Sequence, residues 1–524
     1  MYRIRRFRAS SGLLASVRFR ASSLRRPSLR VPSLRVWVAA ALIRMLAGCT
    51  LMPNYQRPAL PVPDSYTSSS PAAAPAPAPE SGTIAPGAIA AADVGWREFF
   101  TDDKLRAVIA LALEHNRDLR VAVLDIEQSR AQYRIQRAAL LPGIDATFSG
   151  DSNRTPQSVS SPGLPAVTRD YSASIGVSAY ELDLFGRLRS LSAQARETLL
   201  ATEEARRNVQ ISLVAEVADD YLTLATDRQR LALAEQTLRS QAESLELTRR
   251  EAEIGSASDL SLREAETTVE SARADVARYS GQIASDVHAL DLVAGTPVPA
   301  ELLPIGLDEE SHALDMGSEL PAGLPSDLLE RRPDVLEAER TLRAANANIG
   351  AARAAFFPSI TLTASDGTAS NALSGLFAAG SGAWSFAPQV TLPIFTGGRN
   401  LANLDSARVA RDIDVAKYES TIQTAFREVA DALALREFLE QQLSAQRALV
   451  AASSDAYRLS DARFRHGVDS YLNALDAQRS LYSAQQNLIG VELTRMSNLV
   501  ALYQALGGGW LEHSAVASVA KTAR

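Results

Sequence analysis

The sequence predicts an α+β membrane protein in which long helical hairpins carry short β-hairpins that several copies close into one barrel. Three observations predict it. The first is duplication. Glu216-Val217-Ala218-Asp219 recurs as Glu428-Val429-Ala430-Asp431, Gly186-Arg187 as Gly398-Arg399, Gly255 as Gly467 and Gly295 as Gly507, all 212 residues apart. Ala138-Ala139 and Pro142 recur as Ala354-Ala355 and Pro358 at 216 residues, so a four-residue slip falls between Pro142 and Gly186. A period this long is two copies of one large unit, not a solenoid. The second observation is alternation of apolar and polar residues after each of those prolines, the period of a half-buried strand. The third is a coiled-coil seam. Positions 217, 221, 224, 228, 231, 235, 238, 242 and 245 step by four and three, and seven of these nine are apolar.

Taken in order, residues 1–48 hold eleven arginines and no acid. Without them the formal charge moves from −6 to −17 for residues 49–524. A basic start followed by an apolar run reads as a leader, and so acidic a remainder argues against nucleic acid as a partner. Residues 49–92, with Pro53, Pro58, Pro61 and Pro63 and then a Ser/Ala/Pro tract, read as an extended tether. Repeat 1 is expected over 93–295. In it a helix spans 102–141, a β-hairpin about 144–183 and a very long helix 187–253, roughly 100 Å at the α-helical rise. A return helix then spans 259–293. A connector at 296–324 precedes repeat 2 at 325–507, with its hairpin about 359–394, a helix from about 400 to 465, a turn at Gly467 and a return helix to about 506. Residues 508–524 form a tail.

The strands, about nine to twelve residues long, match tilted membrane-spanning strands. In one strand Tyr171, Ala173, Ile175, Val177 and Ala179 are expected on one face and the intervening serines on the other. Phe148, Tyr171, Tyr180, Phe185, Trp384, Phe386 and Phe395 are expected to form an interfacial girdle. An open sheet edge in lipid leaves backbone groups unpaired, and four strands are too few for a barrel, so copies must share one. A soluble sheet over a helical body is the reading that periodicity alone leaves open.

Several runs then resemble one family. Gly48-Cys49-Thr50-Leu51-Met52-Pro53-Asn54-Tyr55-Gln56-Arg57-Pro58, Leu324-Pro325-Ser326-Asp327-Leu328-Leu329-Glu330-Arg331-Arg332-Pro333-Asp334 and Phe357-Pro358-Ser359-Ile360 are three of them. Phe395-Thr396-Gly397-Gly398-Arg399 and Gly467-Val468-Asp469-Ser470-Tyr471-Leu472-Asn473-Ala474-Leu475-Asp476-Ala477-Gln478 are the others. They resemble the TolC-like outer-membrane efflux family, in the lipoprotein branch of RND-type multidrug systems. The resemblance implies a homotrimer with a 12-stranded outer-membrane β-barrel continuous with a periplasmic tunnel of 12 helices. It also implies a periplasmic adaptor and an inner-membrane RND-type pump as partners, with this chain as the passive exit duct for drugs or other solutes.

The single cysteine sits in Leu46-Ala47-Gly48-Cys49, which resembles a bacterial lipoprotein signal and implies acylation of Cys49 and an anchor in outer-membrane lipid. By alignment with the family, Leu472, Asn473 and Asp476 line the periplasmic gate. Leu472 and Asp476 lie one helical turn apart, so three copies would form an apolar and an acidic ring. Copy one carries Leu260 and Glu264 at the matching places. Some relatives have an acid at Asn473 and a base at Asp469, and this chain has neither. Gly255-Ser256 and Gly467-Val468 are the expected adaptor-docking turns. The five histidines, His115, His288, His312, His466 and His513, show no metal spacing. No catalytic motif, cofactor or metal site is expected, and the chain does not read as an enzyme. The alternatives are a duct for protein secretion (type I) or another solute, or a non-conducting periplasmic coiled-coil scaffold.

Overall fold

The computed structural model describes residues 50–63, 93–156, 158–159, 165–306, 329 and 331–514. In the first half, α1 (Trp96–Phe99), α2 (Asp103–His115) and α3 (Arg117–Ala138) lead into β1 (Asp145–Arg154) and β2 (Val167–Leu182). Helices α4 (Arg187–Glu253) and α5 (Asp259–Ala294) follow. The second half repeats the plan with α6 (Pro333–Ala354), β3 (Ser359–Ser370), β4 (Gly382–Thr391), α7 (Arg399–Arg465) and α8 (Tyr471–Ala505). No described helix is long and apolar enough to cross a membrane.

Helices α4 and α7 each run 67 residues and begin after a left-handed glycine, Gly186 and Gly398. Each belongs to two layers. Toward the sheet, α4 packs on α3 and α6, and α6 packs on α7; toward the far tips, α4 packs on α5 and α8, and α8 packs on α7. The main core lies between these layers. There Trp96, Phe99, Phe100, Leu105, Val108 and Ile109 pack against Val217, Tyr221 and Leu224 of α4 and Tyr503 of α8.

The expected helix over 102–141 is two helices. The Asn116 side chain caps α3 by accepting from the Leu119 amide at 2.8 Å, and its own amide donates to the Val293 carbonyl at 2.8 Å. The break is stable because both polar ends of the capping side chain are satisfied. The seam of α4 also differs in its lower half. The deepest positions there are Asp227, Ala234, Gln241 and Thr248, a strict seven-residue spacing, while Leu231, Leu238 and Leu245 are only half-buried in one chain. Three of the four deep residues are polar, which hid them from a hydrophobic pattern.

The tether is held where it is described. The Leu51 and Pro53 carbonyls accept from Arg353 at 3.3 Å and Asn346 at 2.9 Å. Tyr55 and Arg57 both donate to Glu339, at 3.1 and 2.6 Å. Leu60 and Val62 then pack against the cluster of Leu329, Val335, Tyr418 and Ile422. Burial pushes the Glu339 carboxyl up, but the hydrogen bonds from Arg57 and Arg343 outweigh it and hold the group below its ordinary range. That contribution is present above the ordinary carboxylate pKa and fades as pH falls through the lowered one. The strap therefore runs down α6 from its sheet end. Residues 64–92, and the connector at 307–324, lie outside the described residues.

The start of the expected tail is docked as well. Trp96 donates its amide to the Leu511 carbonyl at 2.9 Å, Gly95 to the Ser514 hydroxyl at 3.0 Å, and Arg97 pairs with Glu512 at 2.7 Å. Residues 515–524 lie outside the described residues.

Candidate functional site

The four strands form one antiparallel sheet in the order β1-β2-β3-β4. Register assigns its faces, because directly paired residues share a side. Phe148 pairs with Ala173, Ala146 with Ile175, Leu362 with Tyr180 and Pro388, Ala364 with Val177 and Phe386, and Ile360 with Leu182 and Val390. This face is apolar over the half of the sheet nearer the helices; further out it carries Asp366, between Ile175 and Trp384, and then Thr368, Arg169 and Ser370. The opposite face carries Ser149, Ser172, Ser174, Thr361, Thr363, Ser365, Ser385 and Gln389. Two cross-strand serine pairs, Ser149–Ser172 and Ser365–Ser385, bond there at 2.7 Å. Every residue of β1 and of β4 is exposed in the single chain, so neither edge of the sheet has a strand beside it.

Two expectations about this sheet are corrected. A bulge between Val177 and Tyr180 sets two residues, Ser178 and Ala179, against one, Thr363, so Tyr180 and not Ala179 shares the face of Val177. Ala179 takes a left-handed conformation and donates its amide to the Thr363 hydroxyl at 3.2 Å. Phe386, expected in the interfacial girdle, lies mid-strand in β4 opposite Ala364, while Phe185 stacks on Phe357 at 4.8 Å just past the end of β2.

The helices show matching open edges. Val121, Leu124 and Ile135 on α3 are exposed, as are Leu401, Val409 and Ile413 on α7. Helices α3 and α7 are the two ends of the upper layer α3-α4-α6-α7, as β1 and β4 are the two ends of the sheet. One continuous slab thus ends in apolar helix faces and unpaired strand edges on both sides.

At the far tip both hairpins turn in the same way. Ser256 donates to the Glu251 carbonyl and Gly255 to Ala252; Val468 donates to Arg463 and Gly467 to Phe464. This is the Schellman arrangement. Its left-handed position, φ 76° at Gly255 and 69° at Gly467, favours glycine. Behind the turns, Leu245, Ala265, Phe464, Tyr471 and Leu475 bring the two hairpins into one small core. Tyr471, Ala474, Leu475 and Gln478 are buried, which leaves Leu472, Asn473 and Asp476 together on the exposed face of α8. Leu260 is exposed on α5, with Glu264 half-buried one turn further on. Asp469 pairs with Arg463 of its own turn, and that hydrogen bond holds its carboxyl below the ordinary range. This within-turn partner was not foreseen in the sequence, although the spacing across a tight turn permits it. Cys49 lies outside the described residues.

The family model described as outer membrane efflux protein matches residues 108–296 and 324–508. The chain belongs to this family. It is 51% identical over 475 residues to the toluene efflux pump outer membrane protein TtgC of Pseudomonas putida, covering 90% of this chain and 95% of that one. It is 45% identical over 477 residues to the outer membrane protein OprJ of Pseudomonas aeruginosa, covering 91% and 96%. Among solved structures, the open state of the Neisseria gonorrhoeae MtrE outer membrane channel matches at 39% identity and a TM-score of 0.78, covering 89% of this chain and all of that one. As an outer membrane efflux protein, the chain is the outer-membrane channel component of a tripartite efflux system. Its slab is one third of a trimeric twelve-stranded barrel continued by a helical tunnel in the periplasm. The apolar sheet face is then the lipid face and the serine-rich face the lumen.

Proposed function

We propose that this chain is the passive exit duct for small apolar or amphipathic solutes, driven by an inner-membrane RND-type pump through a periplasmic adaptor. The observation that carries the reading is the slab with one apolar face, one hydroxyl-rich face and two open edges. In lipid, unpaired strand edges are admissible only if the sheet closes. Closing β4 of one copy on β1 of the next also covers α7 with α3, so both sets of exposed apolar residues are buried in one step.

In this reading the turns at Gly255-Ser256 and Gly467-Val468 receive the adaptor, since they are the exposed ends of both hairpins. Leu472, Asn473 and Asp476 form the constriction, with three leucines excluding water and three carboxylates favouring cations. Cys49 carries the lipid anchor. Its neighbour, residue 50, begins the strap at the sheet end of α6, which suits an acyl chain entering the adjacent leaflet. The relatives named for toluene and solvent efflux favour apolar cargo over folded protein.

The test is complementation. Cells stripped of their own efflux channels should regain toluene tolerance when this chain is supplied with the adaptor and pump of a toluene efflux system. In the same cells Cys49→Ala should lose incorporation of labelled fatty acid while retaining most of the tolerance. Absence of any gain in tolerance, with trimer present in the outer membrane, contradicts the efflux reading. Equal labelling of Cys49→Ala contradicts the anchor alone.

A further inference from the structure

Midway along the first helical hairpin, two carboxyls meet with no donor between them. Asp227 of α4 and Asp286 of α5 are both buried, at 4% and 8% exposure, and lie within hydrogen-bonding reach of each other. Their remaining partners are accounted for. Arg230 donates to Oδ1 of Asp227 at 2.8 Å, and Gln282 donates to Oδ1 of Asp286 at 2.9 Å. Oδ2 of Asp286 is enclosed and has no donor among the described residues. Two acceptors facing each other out of water are costly unless something positive or a proton sits between them.

Among the described residues, the nearby cations are already engaged elsewhere or with the outer side of Asp227. On α4, Arg230 is committed to Asp227, and Arg228 donates to the Pro304 carbonyl at 2.5 Å. Asp220, further along α4, adds a like charge and is itself pushed up to about 6 by burial and by Glu216, Asp219 and Asp286. On α2, packed against α4 and α5, the Lys104 ammonium is held by the Leu303 carbonyl at 3.3 Å. On α8, Glu492 pairs with Arg447 at 3.5 Å and Arg495 with Glu440 at 2.7 Å, both on α7. No cluster of three or more metal-ligating side chains occurs among the described residues.

The second half of the chain supplies an internal comparison. At the shared offset of 212, Asp227 corresponds to Leu439 and Asp286 to Asn498. Both are buried, and Asn498 donates to the Ala432 carbonyl at 3.0 Å. There the two positions hold an apolar side chain and a satisfied amide, and no proton is needed.

We propose that Asp227 and Asp286 form a buried proton-binding site, which clasps the two helices of the first hairpin when one proton is shared and loosens them when it is lost. Burial and the Asp227 charge push the Asp286 carboxyl up, against the opposing Gln282 amide. The stabilisation is thus full at pH values below the ordinary carboxylate pKa. It declines as pH rises through the raised one. The second hairpin has no counterpart, so pH acts on one set of staves and not the other.

The test uses hydrogen exchange on the full-length trimer, corrected for the intrinsic pH dependence of exchange. From acid to neutral pH, exchange around Asp227 and Asp286 should accelerate severalfold in the wild type. Asp286→Asn, which supplies a permanent donor, should stay slow at both pH values. The pair borrowed from the other hairpin, Asp227→Leu with Asp286→Asn, should be equally insensitive to pH and guards against a folding defect. Infrared difference spectra should show a protonated carboxyl band that titrates in the wild type and is weakened in Asp286→Asn, where the remainder belongs to Asp220. A pH response retained in both variants overturns the proposal, as does no response in the wild type. Acceleration of exchange at about pH 7.5 on adding EDTA also overturns it, because a bound divalent cation would then fill the gap.

Discussion

Phe386→Arg should abolish the stable trimer, whereas Ala387→Arg on the same strand should leave it assembled. The two residues are neighbours in the middle of β4, but register puts Phe386 on the apolar face with Ala364 and Ala387 on the hydroxyl-rich face with Thr363. An arginine facing lipid near the midplane costs about 2–4 kcal/mol per copy, and three copies carry it. An arginine facing a wet lumen keeps its hydration and adds a positive ring. The check is the fraction of detergent-resistant trimer for each variant, with ion selectivity measured for Ala387→Arg. Equal loss in both would mean that the faces are not separated as register assigns them.

The second large effect is expected far from the membrane. Phe99 is 1% exposed. Its ring stacks on Tyr503 at 3.8 Å and meets Phe100 edge-on at 4.7 Å. Phe99→Ala removes a buried aromatic and leaves a cavity at the junction of α1, α4 and α8, for about 3–5 kcal/mol with about 0.5–1.5 kcal/mol of ring–ring contact included in that loss. Tyr503 is also the link to the chain start, since its hydroxyl donates to the Val94 carbonyl at 2.7 Å. The variant should lose its helical signal at a markedly lower temperature. Phe377→Ala, at a 79% exposed phenylalanine in the outer loop, should stay within about 0.5 kcal/mol. Similar shifts in both would show that the α1 cluster is not a structural keystone.

These expectations rest on features of very different legibility. Helices α4 and α7 could be read almost to the residue, because left-handed glycines bracket them and the seam between is long. The β-hairpins were legible as alternation after a proline. The bulge at Ala179 was not, because its amide is satisfied only by Thr363 of another repeat. The same holds for the break at Asn116, whose amide needs the Val293 carbonyl. Proline-rich residues 50–63 read as tether because their partners, Glu339, Asn346 and Arg353, lie some 300 positions away. At the candidate gate, spacing alone placed Leu472 and Asp476 on one helical face, and the packing of Tyr471 and Leu475 leaves that face open. The polar seam of Asp227, Gln241 and Thr248 had no signature in a hydrophobic pattern, and it is there that the two copies diverge in chemistry.

That three copies enclose one conduit, held shut at the α8 tip, is tested most directly by single-channel recording of the purified protein in a planar bilayer. The wild type should conduct rarely and weakly, and Leu472→Ala with Asp476→Ala should raise the basal conductance severalfold and weaken cation preference, since both rings are removed. Unchanged conductance in the double variant would contradict the gate, and silence from every variant in a bilayer that contains assembled trimer would contradict the conduit itself.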